Sequence, residues 1–264
     1  MLIDCHTHCF PDKIATRALG SLSLTGGGID YYTDGTVTGL RESMKKYSVS
    51  KCFVLNIATN EHQMHSVNDF AISIDSEELV AFGSVYPGAA DVYDEIDRIA
   101  DAGLKGIKFH PEYQEFFVDD EKMKGIYKKI AQRGLITTFH AGGDVGYKSP
   151  YRCTPDRLLK ALQWFYGAPV IAAHWGGYMC YEDVVKTLMG TPLYIDTSYG
   201  YGCIPKPYAQ QICEKHGADR ILFGTDMPWH TPQMEQKLIE SLGLSQSEKD
   251  RIYYKNALDL IGNG

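Results

Sequence analysis

Eight short apolar runs, each closed by a polar or small residue, recur along this chain at nearly even spacing. They read LIDCH (2–6), CFVLNI (52–57), LVAFGSVY (79–86), LKGIKFH (104–110), LITTFH (135–140), PVIAAH (169–174), PLYIDTS (192–198) and RILFGTD (220–226). Runs of this length, rich in β-branched and aromatic residues, describe strands covered on both faces. Helix patterns lie between them. Met123, Ile126, Tyr127, Ile130 and Ala131 share a face that Gly134 terminates, and Thr154-Pro155 opens a second with Leu158, Leu159 and Leu162, ended by Gly167. Ser245 and Glu248 form a capping-box pattern for a last helix stopped by Gly262. Successive runs end 24 to 50 residues apart, most of them close to 30, which is one strand plus one helix. Eight such units in 264 residues predict one α/β domain over 1–264, a (β/α)8 TIM barrel, with a doubly wound sheet as the alternative. The long first interval implies roughly 20 extra residues after the first strand. There TGGGIDYYTDG (25–35) has the composition of a loop or lid and lacks the helix and Lys-Ser/Thr of a phosphate cradle.

Composition narrows the partners. A net charge of −7, with no Lys/Arg cluster beyond pairs, disfavours a nucleic-acid face. No run approaches the ~18 apolar residues of a membrane helix, and the first residues resemble no signal peptide. A soluble, cytoplasmic chain acting on a small molecule is expected, with homo-oligomerisation left open. Seven scattered cysteines without a C-x-x-C pair read as reduced thiols, several of them in the core.

The polar residues that close the runs carry the chemistry. His6 and His8 are two apart at the end of the first strand and face the same way. His140 and His174 close the fifth and sixth strands, and Asp226 closes the eighth. A barrel gathers the C-terminal ends of its strands at one mouth, so these five residues can converge on one point. Imidazoles and a carboxylate around a point are a ligand set for Zn²⁺ or a similar divalent ion. Taken singly, a strand-end histidine is more often a structural residue; four in register with an aspartate favour a metal site.

The ordered motifs IDCHTH, FHAGG, AHWGG and FGTDMPW, spanning residues 4 to 229, resemble the amidohydrolase superfamily of metal-dependent barrels. The nearest branch is the one of small hydrolases related to aminocarboxymuconate-semialdehyde decarboxylase. The resemblance implies that His6, His8, His140 and Asp226 bind the metal and that His174 works beside it. Lys108, in GIKFHP, alternates with Ile107 and Phe109 and so points into the barrel, where an unpaired ammonium is costly. It resembles the carboxylated lysine that bridges two metals in dihydroorotase-like members. The preferred reading is one metal with Lys108 as a substrate-binding catalytic residue; two metals would follow from carboxylation.

Other residues carry weaker expectations. His62, His65 and His216 read as solvated surface, and His110 and His230 as mouth or loop residues. Trp175, Tyr199 and Trp229 follow strand ends and could wall a pocket or simply pack at the rim. Arg17 and Arg152 are the arginines best placed to meet a carboxylate. Asp4 is a candidate to orient an imidazole.

The preferred function is hydrolysis of a small amide, lactone or cyclic imide by metal-activated water, with Asp226 as base then acid and His174 stabilising the oxyanion. The alternative is non-oxidative decarboxylation of a small unsaturated or aromatic acid, which needs a cation for the leaving carboxylate. A metal-binding protein without catalysis is disfavoured, because it needs neither a carboxylate base nor His174.

Overall fold

The computed structural model describes residues 1–262. Eight parallel strands follow one another around a single sheet in chain order. They are β1 (Ile3–Thr7), β2 (Lys51–Leu55), β3 (Leu79–Gly83), β4 (Gly106–Phe109), β5 (Ile136–Phe139), β6 (Val170–Ala172), β7 (Tyr194–Asp196) and β8 (Ile221–Leu222). Each lies at a predicted run, and all but β1 are shorter than it, because the ends of those runs leave the ladder to form the mouth. Main-chain bonds join β8 to β1: Cys5 N–H donates to Phe223 O and Asp226 N–H to His6 O, both at 2.8 Å. Eight parallel strands alternating with helices make the expected (β/α)8 barrel.

The helices are α1 (Asp12–Thr25), α2 (Val37–Tyr47), α3 (Glu61–Ile74), α4 (Val92–Asp101), α5 (Met123–Gln132), α6 (Pro155–Leu162), α7 (Tyr181–Thr187), α8 (Lys206–His216) and α9 (Pro232–Glu240). The last segment runs α10 (Gln246–Asp250), a π-helical turn (Arg251–Lys255) and α11 (Asn256–Leu260), opened by the predicted Ser245–Glu248 capping box. Strand alternation divides the core in two. Ile3, Phe53, Phe82, Ile136, Ile171 and Leu222 point inward and fill the barrel's lower half, against Ala257 of α11. Val54, Ile107, Phe109, Phe139, Ile195 and Phe223 point outward to the helices. Leu159, expected on the buried face of α6, is 41% exposed.

Two features prepare the mouth. The β1–β2 register shifts between Asp4 and Thr7, so the alternation that puts Ile3 and Cys5 inside changes phase and also admits His6. The extra chain after β1 is largely helical: α1 precedes α2, the helix that completes the first unit, and only the stretch beyond Thr25 is the expected loop.

Candidate active site

Above the inner apolar layer the barrel interior turns polar. Lys108, Asp196, His6, His140 and His174 are buried there, and His8 and Asp226 are partly buried at the mouth. Gly224 makes room for them: a Cβ at this position would stand 3.0 Å from the Cβ of His6. His174, Trp175, Tyr199 and Asp226, all just past strand ends, have left-handed φ values of 58°, 58°, 53° and 67°. Such backbone costs ~1–3 kcal/mol per residue and persists only when held. Here the holding bonds are Trp175 N–H to Asp196 O (2.8 Å), Asp226 N–H to His6 O and Tyr199 N–H to Thr225 O (3.3 Å).

Three histidines are anchored through one ring nitrogen and offer the other inward. His6 Nδ1 donates to Asp196 Oδ2 at 2.8 Å, His8 Nδ1 to Leu55 O at 2.8 Å, and His140 Nε2 to Gly143 O at 2.8 Å. Each bond fixes a tautomer, which leaves His6 Nε2, His8 Nε2 and His140 Nδ1 as lone-pair donors. Ser198 Oγ–H donates to Asp196 Oδ1 and therefore accepts from His174 Nδ1 at 2.9 Å; His174 Nε2 then lies 3.0 Å from His140 Nδ1. Asp226 Oδ1 is 3.0 Å from His8 Nε2 and 3.3 Å from His6 Nε2. Its Oδ2 has no hydrogen-bond partner among the described residues. Convergent imidazole lone pairs with one carboxylate fit a divalent cation: the ligand atoms of His6, His8 and Asp226 all lie within 4.8 Å of one another, while those of His140 group with His110 and Asp144 and its Nδ1 faces His174.

Lys108 points into the barrel, its Nζ 3.2 Å from His6 Nε2. Burial pushes its pKa down to about 8, with Asp196 and Asp226 opposing. Burial, reinforced by Lys108, holds His6 well below the usual imidazole range; burial, reinforced by His140, does the same for His174. Burial raises the Asp226 pKa, but His6 and His8 outweigh it and the carboxylate ends below its ordinary value. Neutral imidazoles around an ionised carboxylate are the protonation states that metal binding requires.

Several expectations are corrected. The carboxylate that orients His6 is Asp196, not Asp4, which instead bonds Thr225 through its hydroxyl (2.6 Å) and its N–H (3.0 Å). Asp196 and Ser198 were legible: they alternate on the inward face of the seventh run. Arg152 is held by Glu112, through its N–H at 2.6 Å and its guanidinium at 2.7 Å, and does not reach the cavity. Arg17 does line it. His216 is buried and bonded to Leu193 O at 3.0 Å, because α8 closes over the start of β7. His62 and His65 are exposed, as expected. His110 is buried at the mouth, stacked between Tyr113 and His140 at 3.6 and 4.0 Å, with Nε2 3.4 Å from Asp144 Oδ2. His230 bonds Glu235 at 2.6 Å and stacks on Tyr199. Trp175 is wholly buried, so of these three aromatics Tyr199 and Trp229 line the cavity.

The model of the Amidohydrolase family (Amidohydro_2) matches residues 3–262. The chain belongs to the amidohydrolase family. No curated protein matches this amidohydrolase in sequence. Solved structures share its fold. An uncharacterised TIM-barrel protein from Bordetella bronchiseptica superposes with a TM-score of 0.78 at 17% identity, over 99% of this chain and 98% of that one. The 5-carboxyvanillate decarboxylase from Sphingomonas paucimobilis gives 0.72 at 13%, over 99% and 98%. A Pseudomonas putida protein, provisionally described as a 2-pyrone-4,6-dicarboxylic acid hydrolase, gives 0.66 at 16%, over 99% and 97%. Identities this low speak for the barrel and leave the reaction of this amidohydrolase to its own residues.

Proposed function

We propose that this amidohydrolase hydrolyses a C–N or C–O bond of a small neutral molecule, an amide, lactone or cyclic imide. The observation that carries the reading is the division of labour within Asp226: Oδ1 lies close to both His6 Nε2 and His8 Nε2, while Oδ2 has no hydrogen-bond partner among the described residues. Oδ1 thus faces the same point as the lone pairs of His6 Nε2 and His8 Nε2, as a metal ligand would, and Oδ2 is left to accept a proton. One divalent ion, by our reading Zn²⁺ held by His6, His8, His140 and Asp226, would supply a Lewis acid that polarises the scissile carbonyl and acidifies water. Asp226 takes the proton of the attacking water and returns it to the leaving nitrogen or oxygen. His174, in the tautomer set by Ser198, offers a lone pair rather than a proton, so Lys108 Nζ donates to the developing oxyanion.

Decarboxylation is the second reading, and Arg17 favours it: this arginine lines the cavity and has no ion-pair partner among the described residues. Against it, Arg152 is neutralised by Glu112, which removes one of the three cations expected to hold a leaving carboxylate. Product analysis separates the two. Hydrolysis incorporates one solvent ¹⁸O into the acid product; stoichiometric CO₂ release with solvent deuterium at the vacated carbon would overturn it. Asp226→Asn is expected to lower kcat by about 10²–10⁴-fold in protein whose metal content is verified. Turnover close to wild type would remove Asp226 as the base.

A further inference from the structure

The polar centre is only the inner end of a cavity of about 630 Å³, well beyond what a compact amide or lactone group requires. Its outer arm lies between two helices. On α1, Ile14, Ala18 and Leu22 recur at helical spacing along one face and line the arm, while Ala15 and Leu19 on another face are buried in the protein. On α3, Val67 and Phe70 line the same cavity, as does Ile57 beyond β2. The stripe from Ile14 to Thr25 extends about 16 Å at ~1.5 Å per residue. Ile14 is 37% exposed, so apolar surface stays open along a helix that the barrel plan does not require.

Two polar side chains near this arm are already engaged. Asn56 Nδ2 donates to Val54 O and Phe82 O, and Gln63 Oε1 accepts from Thr59. Arg17 shares the α1 stripe but is exposed, with its head open to water. A ligand filling the arm gains by removing apolar surface from water and leaves the bonds of Asn56 and Gln63 intact.

We infer that the substrate is an amphiphile, a compact hydrolysable amide or ester group carrying an unbranched alkyl chain that lies between α1 and α3. This rests on the hydrolase reading for the reacting group, and on the continuity of arm and centre for the chain. The test measures binding without turnover. Primary alcohols from ethanol to octanol are titrated into the metal-loaded full-length protein, with Trp229 on the cavity wall as fluorescent reporter. Affinity should rise roughly fourfold per methylene, the factor for burying a CH₂ group. Ala18→Trp and Leu22→Trp, each verified as folded by circular dichroism, should flatten that rise beyond the shorter alcohols. A series flat with chain length in the wild type, or a rise undiminished in both variants, overturns the proposal. A parallel series of alkanoate esters keeps the two readings apart. No turnover with the binding rise intact removes the hydrolase reading and leaves the groove standing; turnover with a flat binding series does the reverse.

Discussion

Asp196 is the residue on which the centre turns. Its two oxygens accept from four donors: His6 Nδ1, the backbone N–H groups of His174 and Ser198, and the Ser198 hydroxyl. Asn in its place must turn an amide NH₂ toward a donor in either orientation, which loosens His6. Asp196→Asn should weaken metal affinity by about 10- to 100-fold with the fold retained; an unchanged affinity by competition with a chelating dye would exclude this role. Lys108 bears on stoichiometry. With an ordinary amine at Nζ, purified protein should carry one divalent ion per chain by elemental analysis. Two ions, lost in Lys108→Ala and regained with bicarbonate plus a short carboxylic acid, would show a carboxylated bridge instead.

At the scale of elements, the loops decide which cations the cavity sees. Glu112, buried in the loop after β4, binds both the backbone and the guanidinium of Arg152 in the loop after β5. The pair ties two neighbouring loops beside His110 and Asp144. Charge-assisted bonds of this kind contribute ~1.5–3 kcal/mol each, so Glu112→Gln should cost about 2 kcal/mol in urea unfolding. The same variant frees Arg152. If that arginine then enters the cavity, inhibition by small carboxylates should strengthen relative to wild type; an unchanged inhibition constant would mean that Arg152 stays outside even when unpaired. The α1 insertion acts likewise, lengthening the cavity without touching the barrel.

Over the whole molecule, metal and fold are linked. Residues from β1 and from the segments beyond β5, β6 and β8 meet at one centre, so an ion bound only by the folded chain stabilises the closed barrel as one body. At a free metal concentration 1,000 times Kd the gain is about 4 kcal/mol, a rise in Tm of roughly 10 °C for a chain of this size. Scanning calorimetry with and without excess chelator should display that difference. Equal midpoints would mean that no tightly held ion contributes.

The alternation of strand-like and helix-like runs already determined a parallel α/β fold, because a parallel strand buried on both faces leaves a continuous apolar stretch, and eight evenly spaced runs favoured the barrel over a doubly wound sheet. That rule also located His6, His8, Lys108, His140, His174 and Asp226, since residues ending successive parallel strands share one end of the barrel whatever their separation in sequence. Tertiary structure alone decided how these residues are held and what surrounds them. Whether Asp4 or Asp196 faces His6 depends on a register shift in β1, a matter of one residue that the apolar pattern does not record. Whether Arg152 meets a substrate depends on a glutamate 40 residues away, and the burial of His216 on how α8 closes over β7. Periodicity reports which face of an element is buried; it carries no information about which long-range partner a polar side chain finds, and those partners set the tautomers, charges and shape of this cavity.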